Sequence, residues 1–247
     1  MTTQRIPGII VMSITAALSM IVVGEPSRAS QLAYEGFRPS FPLYAAGGTG
    51  FTGSWIGFGY STRAKSLCST DRQASQGGSV DAENGVARRN LQLPVGATGS
   101  TRYISFLIQP LDDSGGSPFY GLAVDPLYIG KPGAGAQGEY VIETSGGANQ
   151  VSSGVPAVVG RTSMLVVKLE FNSGPDVFTL YVDPTPGRPE PVGDAVKTDL
   201  DLGTVSLMSI VSIGASSAID EIRVGTTYAD VVTSGANQSD GDFTGCL

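Results

Sequence analysis

Two carboxylate pairs have the spacing at which a strand sets both groups on one face: Glu139 and Glu143 in Glu139-Tyr-Val-Ile-Glu143, and Asp199 and Asp201. Side chains alternate across a strand, so Asp199 and Asp201 would stand roughly 7 Å apart. Such pairs could supply the nucleophile and acid/base of glycoside hydrolysis. They could equally form a solvated polar face, since Leu200 and Leu202 occupy the side opposite the aspartates. Gly48-x-Gly50-x-x-Gly53 and Gly133-x-Gly135-x-x-Gly138 fit the dinucleotide fingerprint, but that chemistry needs a strand before the glycines and a helix after them. Gly57 and Gly59 follow the first match and a β-rich run follows the second, so both read as turns. Gly130-Lys131 is followed by Pro132 and preceded by Asp125 where a phosphate-cradling loop needs its first glycine, and no Ser-x-x-Lys pair is present.

The chain of 247 residues contains no histidine. That excludes Ser-His-Asp triads, Cys-His dyads and His-ligated zinc or haem. Two cysteines cannot build a zinc cage or an iron–sulfur cluster. With 15 Lys+Arg against 22 Asp+Glu the net charge is −7, the wrong sign for a nucleic-acid partner.

Whatever these residues do, β-strands must position them. In Met164–Asn172, Leu165, Val167, Leu169 and Phe171 alternate with Lys168, Glu170 and Asn172. Asn172-Ser-Gly-Pro-Asp176 is a turn, and Phe178, Leu180 and Val182 resume the alternation, which predicts an antiparallel hairpin over 164–183 with those seven apolar residues buried. Further strands are expected at 86–93, 101–109, 119–124, 126–130, 138–144, 205–213 and 218–224. No stretch shows a capped 3.6-residue period, so helix content should be small. Many short strands separated by Gly-rich turns predict an all-β, antiparallel two-sheet jelly-roll sandwich.

Residues 1–29 read as a signal peptide, with Arg5 ahead of an uncharged apolar run from Ile6 to Val23 and small residues before a cleavage point after Ala29. Export follows from that reading, to the extracellular space or cell surface, with no membrane span in the mature chain. Residues 30–232 are expected to form the domain and 233–247 a polar tail. Cys68 and Cys246, the two cysteines of an exported chain, are expected to form a disulfide. Trp55 is either a core plug or a sugar-stacking platform, and Tyr120 and Tyr128 are alternative platforms near strand ends. Asp220 alternates with Ile222 and Val224, which turns it toward the apolar side. A carboxylate there must be hydrogen-bonded to backbone N–H groups or bound to a metal.

Three segments in order carry a family resemblance: Tyr34-Glu35-Gly36-Phe37 with Gly47-Gly-Thr-Gly-Phe-Thr-Gly-Ser-Trp55; Leu165 to Gly187; and Ile219-Asp-Glu-Ile-Arg-Val-Gly225 with Tyr228-Ala-Asp-Val231. Over residues 33–232 the chain resembles laminin-G-like domains of secreted bacterial proteins, notably planctomycete and PEP-CTERM-associated ones. The resemblance implies the concanavalin A-like lectin/glucanase fold. It offers calcium as the alternative at Asp220, with no cofactor otherwise required. Glucanases of that fold carry Glu-x-Asp-x-Glu or Glu-x-Asp-x-x-Glu on one strand; here Val141 stands between Glu139 and Glu143 where the Asp would be. A C-terminal Pro-Glu-Pro motif followed by an apolar helix, present in many relatives, is missing, which argues against sortase-like anchoring. The expectation is a non-catalytic secreted module whose partner is a glycan or cell-surface component. The alternatives are a carbohydrate-active hydrolase or lyase, or a structural surface-assembly domain.

Overall fold

The computed structural model describes residues 31–37, 47–68, 77–112, 119–135 and 138–233. The expected signal peptide (1–29) and nearly all of the expected tail (233–247) lie outside them. Twelve strands follow in chain order: β1 (Gln31–Glu35), β2 (Phe51–Arg63), β3 (Ser79–Val95), β4 (Thr101–Pro110), β5 (Phe119–Val124), β6 (Leu127–Lys131), β7 (Glu139–Thr144), β8 (Ala148–Pro156), β9 (Ser163–Glu170), β10 (Val177–Val182), β11 (Ala195–Lys197) and β12 (Val205–Gly225). A single helical turn, α1 (Tyr228–Val231), ends the described chain. All the pairings are antiparallel. The fold is an antiparallel jelly-roll sandwich, as the strand pattern predicts.

The long strand β12 belongs to both sheets. Ser209–Ile213 pair with β5, whereas Ser217–Gly225 pair with β4, and the change falls at a register break containing Gly214 at φ 75°. On its other side β12 runs along β3 and then β1. The first sheet is therefore β11-β10-β9-β4-β12, and the second is β12-β5-β6-β7-β8 extended by β3 and β2. Strands β10 and β11 come back into contact with β7 and β8, which closes the sandwich.

The core lies between the sheets. Ile104, Phe106, Leu165, Val167, Leu169, Phe178 and Leu180 meet Tyr120, Leu122, Ile129, Tyr140 and Ile142. Each large aliphatic side chain so buried contributes roughly 1.5–3 kcal/mol before chain entropy is subtracted. Of the seven hairpin residues expected inside, six are buried, and Val182 is half-buried against the same cluster. The outer face of the first sheet is covered as well: Tyr103, Leu107, Met164, Val166 and Tyr181 pack beneath Leu67, Tyr228, Val231 and Val232. This second layer is why Met164-Leu-Val-Val167 is apolar on both faces. No helix among the described residues is long and apolar enough to cross a membrane.

Candidate functional site

The outer face of the second sheet gathers the polar and aromatic groups. Cross-strand partners share a face, so the register alone places Ile56, Arg88, Ser209, Ala123, Tyr128 and Glu143 in one row across six strands. Gln150 extends the row, its Nε2 donating to Glu143 Oε2 at 2.9 Å and to the Ala134 carbonyl at 3.0 Å. Tyr128 is half-buried, its ring packed edge-on against Phe119 with centroids 5.2 Å apart. Beside it the floor is backbone. Gly121 and Gly130 face each other, and a Cβ on either would come within about 2.1 Å of a carbonyl oxygen on the opposite strand. On this face the half-exposed Tyr128 ring is the group a sugar ring could stack on, with the buried Glu143 and its Gln150 amide beside it.

Glu139, Val141 and Glu143 all point to this outer side, since Tyr140 and Ile142 between them are in the core. The two glutamates share a face, as their spacing predicts, and each is tied to β8. Ser152 Oγ donates to Glu139 Oε2, while Gln150 holds Glu143. Glu143 is 3% exposed, and burial pushes its carboxyl above the ordinary range against the Gln150 hydrogen bond and the charge of Lys197. Val141 between them is fully buried.

Asp199 and Asp201 form no strand pair. They follow β11 in irregular chain, where Asp199 pairs with buried Lys197 at 2.7 Å and Asp201 accepts from Gly203 N–H at 3.2 Å. The Lys197 hydrogen bond pulls the Asp199 carboxyl down. The first glycine cluster is a turn into β2: Gly50 sits at φ 73°, where a Cβ would be 1.9 Å from the Leu32 carbonyl. The second lies in the connection from β6 to β7.

Two of the three expected platforms are in the core. Trp55 is 2% exposed, its Nε1–H donating to Glu35 Oε2 at 3.2 Å, and Glu35 is itself ion-paired with buried Arg89. Tyr120 is fully buried, with Lys131 Nζ 5.5 Å from its ring centroid. Strand alternation decides this, since Tyr120 lies on the same side of β5 as Leu122 and Val124. Only Tyr128 reaches the outer face with part of its ring exposed. Arg88, Ser209, Phe119 and Gln150 carried no chemical signal in the sequence; their register across the sheet brings them together.

Asp220 is buried, but on the side opposite to the one its alternation implied. It pairs with Leu107 of the outer layer, while Ile222 and Val224 face the core. A bulge between Asp220 and Arg223, with Glu221 at φ 54°, adds the residue that inverts the pattern. Its Oδ2 accepts from Leu67 N–H at 2.8 Å and from Ser66 Oγ, and its Oδ1 from Glu221 N–H at 2.7 Å. Burial, and then the neighbouring Glu221 charge, push the Asp220 carboxyl well above the usual range. Each carboxylate oxygen is taken by a backbone N–H, which repels a cation where calcium needs oxygen ligands, so Asp220 does not fit a calcium site. Among the described residues no group of three or more His, Cys, Asp or Glu side chains is placed to hold a metal. Residues 64–68 are thereby pinned to β12 up to Cys68. The other expected half of the disulfide, Cys246, lies outside the described residues. Alkylation of the denatured, unreduced protein followed by mass spectrometry is expected to leave both cysteines unmodified; two alkylated thiols would exclude the bridge.

No protein-family model matches the chain, and no curated protein matches it in sequence. Solved structures do match in fold. Domain 4 of AbnA, a GH43 extracellular arabinanase from Geobacillus stearothermophilus solved in complex with arabinotriose, superposes with a TM-score of 0.51 at 14% identity, over 83% of this chain and 98% of that one. An endo-1,3-β-glucanase from Streptomyces sioyaensis gives 0.48 at 11% identity over 82% and 98%. The T. cruzi calreticulin globular domain gives 0.47 at 13% over 82% and 91%.

Proposed function

We propose that this is a non-catalytic glycan-binding module of the laminin-G-like kind, exported and working outside the cell or on its surface. The observation that carries the reading is the row on the outer face of the second sheet, where Tyr128 stands half-exposed between Ala123 and the Gln150-held Glu143. The jelly-roll fold supports it: the arabinanase domain that superposes on this chain was solved with arabinotriose bound. The non-catalytic part rests on the glutamates, each hydrogen-bonded within the sheet and separated by a buried valine where the glucanase strand needs a third carboxylate.

Glu143 is also the observation that favours the second reading, a carbohydrate-active hydrolase, because a buried carboxyl with a raised pKa is what a general acid requires. One experiment separates the two. Retention of arabinan- and β-glucan-derived oligosaccharides is expected to weaken about tenfold in Tyr128→Ala, the loss of roughly 1.4 kcal/mol of stacking. The same oligosaccharides should be recovered intact. Turnover by the wild-type chain that disappears in a Glu139→Gln/Glu143→Gln double variant would establish the hydrolase. Retention unchanged in Tyr128→Ala would remove the platform.

A further inference from the structure

The outer layer of the first sheet holds a shallow, open depression of about 480 Å³ with a mixed polar and apolar lining, within the roughly 300–1,000 Å³ range of small-ligand sites. Its walls include Tyr103, Lys168, Arg188, Pro189, Glu190 and Tyr228. Three of these come from one strap, residues 183–194, which crosses the outer tyrosines and is fastened at both ends. At one end Asp183 accepts from Met164 N–H at 2.7 Å and pairs with Arg161 at 2.8 Å. At the other Asp194 accepts from Val182 N–H at 2.7 Å. Pro184, Pro186, Pro189 and Pro191 stiffen it, so its side chains are presented with little entropy left to lose.

The strap brings one anion and one cation, which are treated differently. Glu190 is satisfied: Tyr103 Oη donates to it at 2.7 Å, Tyr181 Oη donates to its other oxygen, and Lys168 Nζ lies at 3.5 Å. Arg188, two residues before it, is exposed and among the described residues has no ion-pair or side-chain hydrogen-bond partner. A second, smaller cavity of about 280 Å³ lies against the same strap, and Arg188, Pro189 and Tyr228 line both. The Tyr228 hydroxyl, on a ring that lines both, is buried and among the described residues has no hydrogen-bond partner. Its phenol is pushed up to about 12 by burial and then by the Glu190 charge, so it stays a donor at neutral pH. Lys168 is shared between Glu170 and Glu190, the Thr226 hydroxyl donates to Asp230, and Asp183 and Asp194 on the second cavity are held by the strap's own fastenings, so the groups left to meet a ligand are the Arg188 guanidinium and the Tyr228 phenol. In a chain of net charge −7 Arg188 is a cation that the surrounding carboxylates leave unpaired among the described residues.

We infer that this cavity is a second saccharide site, separate from the Tyr128 face, that takes the carboxylate of an acidic sugar unit, a uronate, on Arg188. A guanidinium grips a carboxylate through two parallel N–H bonds, a geometry an ammonium cannot give. Pro189 and the tyrosine edges supply the apolar side of the pocket, and Thr226 and Thr227 stand across from the strap. The inference takes only its saccharide class from the glycan-binding reading.

The test is calorimetric titration of the whole chain with trigalacturonate and, in parallel, with arabinotriose. Trigalacturonate is expected to bind the wild type, about tenfold more weakly to Arg188→Gln, and at least as tightly to Glu190→Gln, which removes the negative charge on the cavity wall. A pocket that was merely structural would weaken in both variants. Added salt should reduce trigalacturonate binding and leave arabinotriose binding unmoved. Trigalacturonate affinity unchanged in Arg188→Gln, or lost in Tyr128→Ala, would overturn the second site. Failure of arabinotriose to respond to Tyr128→Ala would instead overturn the first site and leave this one standing.

Discussion

Arg89→Ala is expected to lower the free energy of unfolding by about 3–5 kcal/mol, the usual cost of stranding one member of a buried ion pair. Arg89 and Glu35 are each about 3% exposed, and their contact ties β3 to β1. Glu35 also accepts from Phe37 N–H at 3.0 Å and from Trp55 Nε1–H, while the guanidinium lies 4.9 Å from the Phe51 ring centroid. Removing the arginine would leave a carboxylate with two neutral donors and no counter-charge in a dry site. Urea unfolding followed by Trp55 fluorescence reads the effect, because the indole belongs to the same knot. A loss below 1 kcal/mol would mean that water reaches Glu35.

Asp220→Ala is expected to cost stability with a distinctive pH dependence. The substitution orphans the buried Leu67 and Glu221 N–H groups, at about 1–3 kcal/mol each. The wild-type carboxyl has a folded-state pKa raised above its unfolded value, so the folded state holds the proton more tightly. The stability it contributes is complete below the unfolded pKa of about 3.9 and is lost as pH rises through the folded value. Burial and Glu221 cause that loss, against the opposing hydrogen bonds from Ser66, Leu67 and Glu221 N–H. The gap between wild type and variant should therefore be wider at pH 4 than at pH 8. A gap that widens toward high pH would show that the carboxyl is instead held ionised.

The hairpin 164–183 was legible because its turn is unambiguous and its alternation uninterrupted. Leu165 pairs with Val182 and Leu169 with Phe178, in the register the pattern implies. What the alternation could not show was the second apolar layer: Val166 and Tyr181 are buried too, under a strap and a helical turn far along the chain. β2 was hidden because its glycines read as turn residues, yet in the structure Gly57 and Gly59 allow close backbone approach within a 13-residue strand. Asp220 failed for a different reason. Period-two reasoning holds only while the ladder is regular, and the bulge at Glu221 exchanges the two faces of the strand. The candidate site was half visible. Glu139 and Glu143 could be placed on one face by counting, and the alternation of Tyr120 with Leu122 and Val124 pointed it inward, but aromatic character alone did not separate Trp55 from Tyr128. Arg188 and Glu190 looked like any Pro-rich loop, since their surroundings exist only once the sheet is built.

The sharing of β12 by both sheets also sets the order in which the molecule can come together. Strands β1, β3, β4 and β5 all pair with it, yet 204 residues precede its first one. A chain emerging from its N-terminus can form local hairpins such as β5–β6 and β9–β10. It cannot join the halves of the sandwich until Val205–Gly225 arrive. Closure therefore waits on Val205–Gly225 and depends on contacts of large sequence separation, which form slowly. Until then β1, β3, β4 and β5 share no strand that could bind them into one body.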